Sequence, residues 1–255
     1  MNRTITFTKR NLIEMLRDPL SYIFCVAFPL IMLILMTIVN TSIPKEGITT
    51  FRIDNLEGGI IIFGQTFVML FTALNVATDR NGSFLTRLFA SPMKSHEFTN
   101  GYIFPSLIVA LFQSLISIVA ALIVSVIVDY KLSISGLLIS FVVAIPSAIF
   151  FIAIGLIFGT IFSDKAAPGM CSIIISLAGF FGGIWFDAET TGGVMGKICK
   201  CTPIFYCTKA VRSAIDMDFG KDNFIIPMII VTASAAVLIV LASILFRSKM
   251  RADLA

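Results

Sequence analysis

Apolar residues occupy six long windows that carry no charge, at 19–44, 58–78, 102–128, 132–163, 166–186 and 223–246. A helix rises about 1.5 Å per residue, so about 20 apolar residues cross roughly 30 Å of hydrocarbon, and each window is long enough. Backbone polar groups in lipid must be satisfied within the structure, by helices or by closed barrels. The strict alternation of barrel strands is absent from the windows. The pattern therefore predicts an all-α polytopic membrane protein with six transmembrane helices, at about 20–39, 59–78, 102–128, 136–162, 167–186 and 224–246. One permease-like domain covers the whole chain, 1–255. A polar outer loop (40–57), an inner segment (79–101), a tight turn at 129–133, a turn at Ser163, Asp164 and Lys165, and an outer region (187–222) join the spans.

Two stretches outside the windows repeat apolar residues at helical spacing. In the first, Ile5, Leu12, Met15 and Leu16 oppose Lys9, Arg10, Glu14 and Arg17 before Asp18-Pro19 breaks the pattern, which predicts an N-terminal amphipathic surface helix. In the second, Pro203, Ile204, Phe205 and Tyr206 lead into Ala210, Val211, Ala214 and Ile215, with Lys209 and Arg212 interleaved. This predicts an outer re-entrant or surface helix before the last span. Pro29 is expected to kink the first span. That span follows an ordered charged segment and reads as a retained anchor, not a cleaved signal.

Composition agrees: 57% of the 255 residues are hydrophobic and only 13% charged, too apolar for a soluble globule. The net charge of +4 matters less than its placement. With the N-terminus inside, Arg80, Arg87, Lys94, Lys165, Arg247, Lys249 and Arg251 fall on the cytosolic side, and most outer cations crowd into one long loop. The positive-inside rule then puts both termini in the cytosol of a plasma-membrane protein. Cys25 and Cys171 lie in spans. Cys199, Cys201 and Cys207 lack the spacing of a zinc site and have no histidine near them, and a disulfide among them is open.

Catalytic chemistry has little to stand on. Residues 192–198 resemble a nucleotide loop only loosely, because the glycines are misplaced and Ile198 stands where a magnesium-binding hydroxyl belongs, so the chain is not expected to hydrolyse ATP itself. His96 has no partner at metal or triad spacing, and no basic, aromatic-interleaved face suggests nucleic acid. A secondary transporter or channel would be favoured by an ionisable residue within the spans, and the windows hold none. A lipid-modifying enzyme would need a cluster of His, Asp or Glu at a membrane face. The polar groups within the spans, Gln65, Thr66, Asn75 and Gln113 with Ser114 and Ser117, suit helix packing or a translocation path. The pairs Gly155/Gly159 and Gly179/Gly183 permit close helix approach.

The inner segment is the most informative. From Asp79 to Met93 a glycine break leads into a helical pattern with Phe84, Leu85, Leu88 and Phe89 on one face. Such a helix, held between two spans, suits a groove on a partner and would carry the partner's motion into the membrane. This stretch resembles the cytosolic signature of type-2 ABC transporter permeases: Asp79, Arg80, Arg87, Leu88, Ser91 and Pro92 match. Asn81 and Thr86 stand in place of acidic residues, and Gly82 comes one position early. Arg17-Asp18-Pro19, the six spans, and Pro203, Tyr206 and Arg212 before the last span extend the resemblance across the chain.

The resemblance implies that two such permeases, identical or homologous, pair and bind cytosolic ABC ATPase subunits that carry the ATP and magnesium. It implies ATPase coupling through Phe84, Leu85, Arg87, Leu88, Phe89, Asp164 and Lys165 and through the surface helix with Arg10, Leu12, Met15 and Arg17. Export of an amphiphilic or hydrophobic compound is expected along a path to which Gln65, Thr66, Asn75 and Gln113 are candidates.

Overall fold

The computed structural model describes residues 3–42, 51–82, 95–185 and 193–253. Every regular element among them is helical: α1 (Arg3–Arg17), α2 (Pro19–Ser42), α3 (Ile53–Asn81), α4 (Ser95–Ile127), α5 (Ile134–Ile161), α6 (Ala167–Phe181), α7 (Gly193–Cys201), α8 (Pro203–Ile215) and α9 (Ile226–Asp253). Five of the described helices, α2, α3, α4, α5 and α9 with its preceding turn, are long and apolar enough to cross a membrane. The fifth predicted span is α6, which at 15 residues stops five short of its window, where Gly182 and Gly183 turn the chain. The molecule is an all-α, multi-pass membrane protein.

Helix α3 is the axis. Of its most apolar stretch 83% is buried, against 22% for α2 and 17% for the last span, because α2, α4, α5, α6 and α8 all lean on it. Its tightest neighbour is α5, and glycine makes the approach possible. A Cβ at Gly155 would lie 2.5 Å from the Met69 carbonyl oxygen, and one at Gly159 2.5 Å from that of Ala73. The pair 179/183 does something else: Gly179 abuts the Trp185 ring and Gly183, at φ 67°, belongs to the turn.

Two spans share a device that the sequence only half announces. Pro29 and Pro227 have no N–H to give the carbonyl four residues back, and their rings crowd it. In both helices the preceding turn is wound as a π-helix, Ile23–Ala27 and Lys221–Ile225, so that Phe28 N–H reaches Ile23 O and Ile226 N–H reaches Lys221 O. The carbonyl that Pro227 strands, that of Asn223, accepts instead from the Ser213 hydroxyl at 2.8 Å.

Three other helices run past their expected ends. Helix α3 starts at Ile53, six residues before the predicted span, α4 takes in 95–101 of the predicted inner segment, and α9 runs on to Asp253 through most of the basic tail. The outer helix forms where predicted, at Pro203–Ile215, and protein covers much of it: it packs on α3, α5 and α9 with Ala210, Val211, Ala214 and Ile215 buried, while Phe205 packs with Cys199 of α7 and Phe181 of α6.

Candidate functional site

Four separate parts of the chain meet at one end of α3. Helix α1 lies across the start of α4, with Phe7 packed edge-on against Phe98 and Tyr102 at centroid separations of 6.0 and 5.1 Å. Gly101 lets the Phe7 ring in, and Asn11 donates to the Gly101 carbonyl at 3.0 Å. This contact turns Arg10 toward α3, where its guanidinium binds both carboxylate oxygens of Asp79, at 2.5 and 2.8 Å. The Tyr102 hydroxyl donates to the same carboxylate at 2.8 Å. Fork-to-fork pairs of this kind are short, directional and strong.

Arg10 also reaches Glu14, one turn along α1, at 2.9 Å. Burial alone would lower the Arg10 pKa, but the hydrogen bond and charge of Asp79 outweigh it and hold the guanidinium above its ordinary value. Glu14 is pushed up by burial, and Arg10 only partly offsets this. Asp79 is therefore the partner that matters.

The next two residues of α3 face the other way. Arg80 donates to the carbonyls of Gly159 and Thr160 at the end of α5. Those carbonyls belong to the last turn of a helix, where no intrahelical donor remains and a cation is favoured. Asn81 donates to Asp164 at 2.8 Å, and the same carboxylate oxygen accepts the Lys165 backbone N–H at 2.8 Å. Thus the root of the inner segment is fastened to α1 and α4 on one side and to the α5–α6 turn on the other. Of the residues expected to contact an ATPase, the structure brings Arg10, Asp164 and, next to it, Lys165 to this junction. Met15 is buried beneath α1, and Leu12 and Arg17 lie at or near its surface. Phe84, Leu85, Arg87, Leu88 and Phe89 lie outside the described residues.

The far end of α3 has its own cluster. Arg212 of α8 lies against Gly58 and Gly59 and donates to the carbonyls of Asn55 (2.7 Å) and Ile184 (3.3 Å). Arg52 pairs with Asp54 at 2.6 Å, and Tyr130 donates to Asp54 at 2.7 Å. Burial and then the Asp54 hydrogen bond raise the Tyr130 pKa, and burial and then the Asp54 charge raise that of Asp216. Pro203 opens α8, and Tyr206 caps the end of α7 by donating to the Lys200 carbonyl at 2.9 Å. Cys199, Cys201 and Cys207 are free thiols.

Three of the four path candidates lie on α3 and one on α4. Gln65 bridges to α5, donating to the Ala144 carbonyl at 3.0 Å and accepting from Ser147 at 2.8 Å. Thr66 donates to Phe63 of its own helix. Asn75 is half-buried, and Gln113 is buried against Gly64.

A residue that the sequence reading passed over lies nearby. Glu57 falls inside α3 and is fully buried, so the expectation of spans without ionisable groups does not hold. Its Oε2 accepts from Ser117 of α4 at 3.1 Å. Its Oε1, and the Gln113 side-chain nitrogen one turn along α4 from Ser117, have no hydrogen-bond partner among the described residues. An uncharged window starts only after Glu57, whereas the apolar series Ile53, Leu56, Ile60 signals that the helix begins earlier.

Among the described residues no group of His, Cys, Asp or Glu has the arrangement of a metal site. No curated protein matches the chain. The model of the ABC-2 type transporter family does match, over residues 2–215, from the helix that pins Asp79 to the end of the helix that carries Arg212, and the chain belongs to that family.

Proposed function

We propose that this chain is the membrane subunit of an ATP-driven exporter, working as a pair with a second copy or a homologue and with cytosolic ABC ATPase subunits that hold ATP and magnesium. Both termini are cytosolic in this reading, and the cargo is amphiphilic or hydrophobic. The observation that carries it is the junction at Asp79–Asn81. A partner that moved the inner segment would pull at once on α1 through Arg10, on α4 through Tyr102 and on the α5–α6 turn through Asp164. Rigidly shared contacts of this kind are what two-state switching between inward-open and outward-open forms requires. Replacing Leu88 and Phe89 together by Asp is expected to abolish co-purification with the ATPase while leaving the permease folded. Unchanged co-purification would show that the segment is not the docking element.

One observation favours a second reading, an ATPase-independent channel or secondary transporter: Glu57 is the kind of buried carboxyl that ion coupling uses. The two separate cleanly. In the ATP-driven reading Glu57→Gln keeps the acceptor for Ser117 and leaves ATP-dependent transport intact. Transport in proteoliposomes without ATPase, lost in Glu57→Gln, would install the rival.

A further inference from the structure

On the side of α1 away from the Arg10–Asp79 pair, α1, α2 and α4 enclose a notch of about 320 Å³ that opens sideways. Its walls are almost wholly apolar: Leu12 and Leu16 from α1, Cys25 and Val26 from the π-turn of α2, Ile108 and Phe112 from α4. Ile108 and Phe112 are each about half exposed, at 48% and 51%, so the notch faces the surroundings of the helices and not their core.

Its length can be read from α4. Asn11 fixes α1 at the level of Gly101. Ile108 and Phe112 lie seven and eleven residues further on, about 10 and 16 Å at helical rise. The notch therefore runs from the membrane boundary to about the middle of a 30 Å hydrocarbon layer, the depth of one leaflet.

Charge completes the site. Lys9 stands one turn before Leu12 on the same side of α1 and is exposed, whereas Arg17, seven residues after Arg10, falls on the Arg10 side of the helix. Arg10 is committed to Asp79 and Glu14, whereas Lys9 has no ion-pair partner among the described residues. The nearby acids are engaged: Glu14 by Arg10, and Asp18 by the Leu20 N–H at 3.0 Å and by Ser21. An apolar slot one leaflet deep beneath an unpaired cation fits an anionic lipid, with its chain in the slot and its phosphate on Lys9.

We propose that the notch between α1, α2 and α4 is a binding site for an anionic phospholipid of the leaflet in which α2 begins. The lipid wedges α1 against the bundle on the side opposite the Asp79 contact.

Native mass spectrometry of the protein from nanodiscs of equal phosphatidylglycerol and phosphatidylcholine tests this. The unaltered chain should retain phosphatidylglycerol preferentially. Lys9→Glu, a surface change that leaves packing alone, should cut that retention about tenfold. Val109 also lines the notch from α4, and Val109→Trp, which fills it, should remove the retained lipid whatever its headgroup. Equal retention of the two lipids, or retention indifferent to the charge reversal, would overturn the site. So would a dimer that Val109→Trp converts to monomer, since a second copy would then be the occupant.

Discussion

Arg10→Ala is expected to lower the unfolding free energy by about 3 kcal/mol, the largest loss for any single side chain at the inner junction. The reason is asymmetric. Asp79 is only 4% exposed and would keep just the Tyr102 hydroxyl against a charge that had two guanidinium hydrogen bonds. Arg10 is about one-third exposed, so the converse change that still offers the buried Tyr102 hydroxyl an acceptor, Asp79→Asn, leaves a cation that can turn to Glu14 or to water and should cost less. Thermal unfolding in detergent gives both numbers. The exchanged pair Arg10→Asp with Asp79→Arg should recover part of the loss. Equal effects of the two single changes would mean that shape, not charge, holds α1 in place.

Gly159→Leu should prevent folding, and Gly159→Ala should cost about 1–3 kcal/mol. The built Cβ at this position lies 2.5 Å from a backbone oxygen and 2.7 Å from the Val76 Cβ, so neither neighbour is a flexible end that can swing aside. Helices α3 and α5 would have to part along their whole contact, including the Gln65 bridge to Ala144 and Ser147. Gly169 supplies the control: nothing lies within 4 Å of its Cβ position, so Gly169→Leu should be neutral or slightly stabilising through helix propensity. Equal tolerance at 159 and 169, judged by expression and by the monodisperse peak on size exclusion, would contradict the packing described above.

What the sequence made legible follows from what periodicity and charge can report. The α8 boundaries, Pro203 to Ile215, could be read because a helix-opening proline and an apolar repeat mark them. Its burial could not, because an amphipathic repeat is the same whether the apolar side meets lipid or protein. The surface helix α1 was visible, and so were Arg10, Asp79 and Asp164 as separate residues. Their meeting was not, since the Arg10–Asp79 contact joins positions 69 residues apart and depends on Phe7 and Gly101 setting the angle of α1. Glu57 was missed for a simpler cause: windows defined by the absence of charge end at any charge, even one that the fold buries.

The π-turns ahead of Pro29 and Pro227 have a consequence for reading frame along the helix. Each winds one more residue into a turn than its α-helical neighbours do, which offsets everything before it by about 100° relative to everything after. In α2 this phase step separates Ser21 and Tyr22, which face α1, from the outward row Ile31, Ile34, Leu35 and Ile38. A single-residue deletion within Ile23–Ala27 would restore a regular helix and still be the more damaging change. With α1 anchored at Asp79, the rest of the span would have to rotate as a body and carry its outward row into the protein. Length variation among related chains should therefore be rarer at these two turns than their place outside the core suggests.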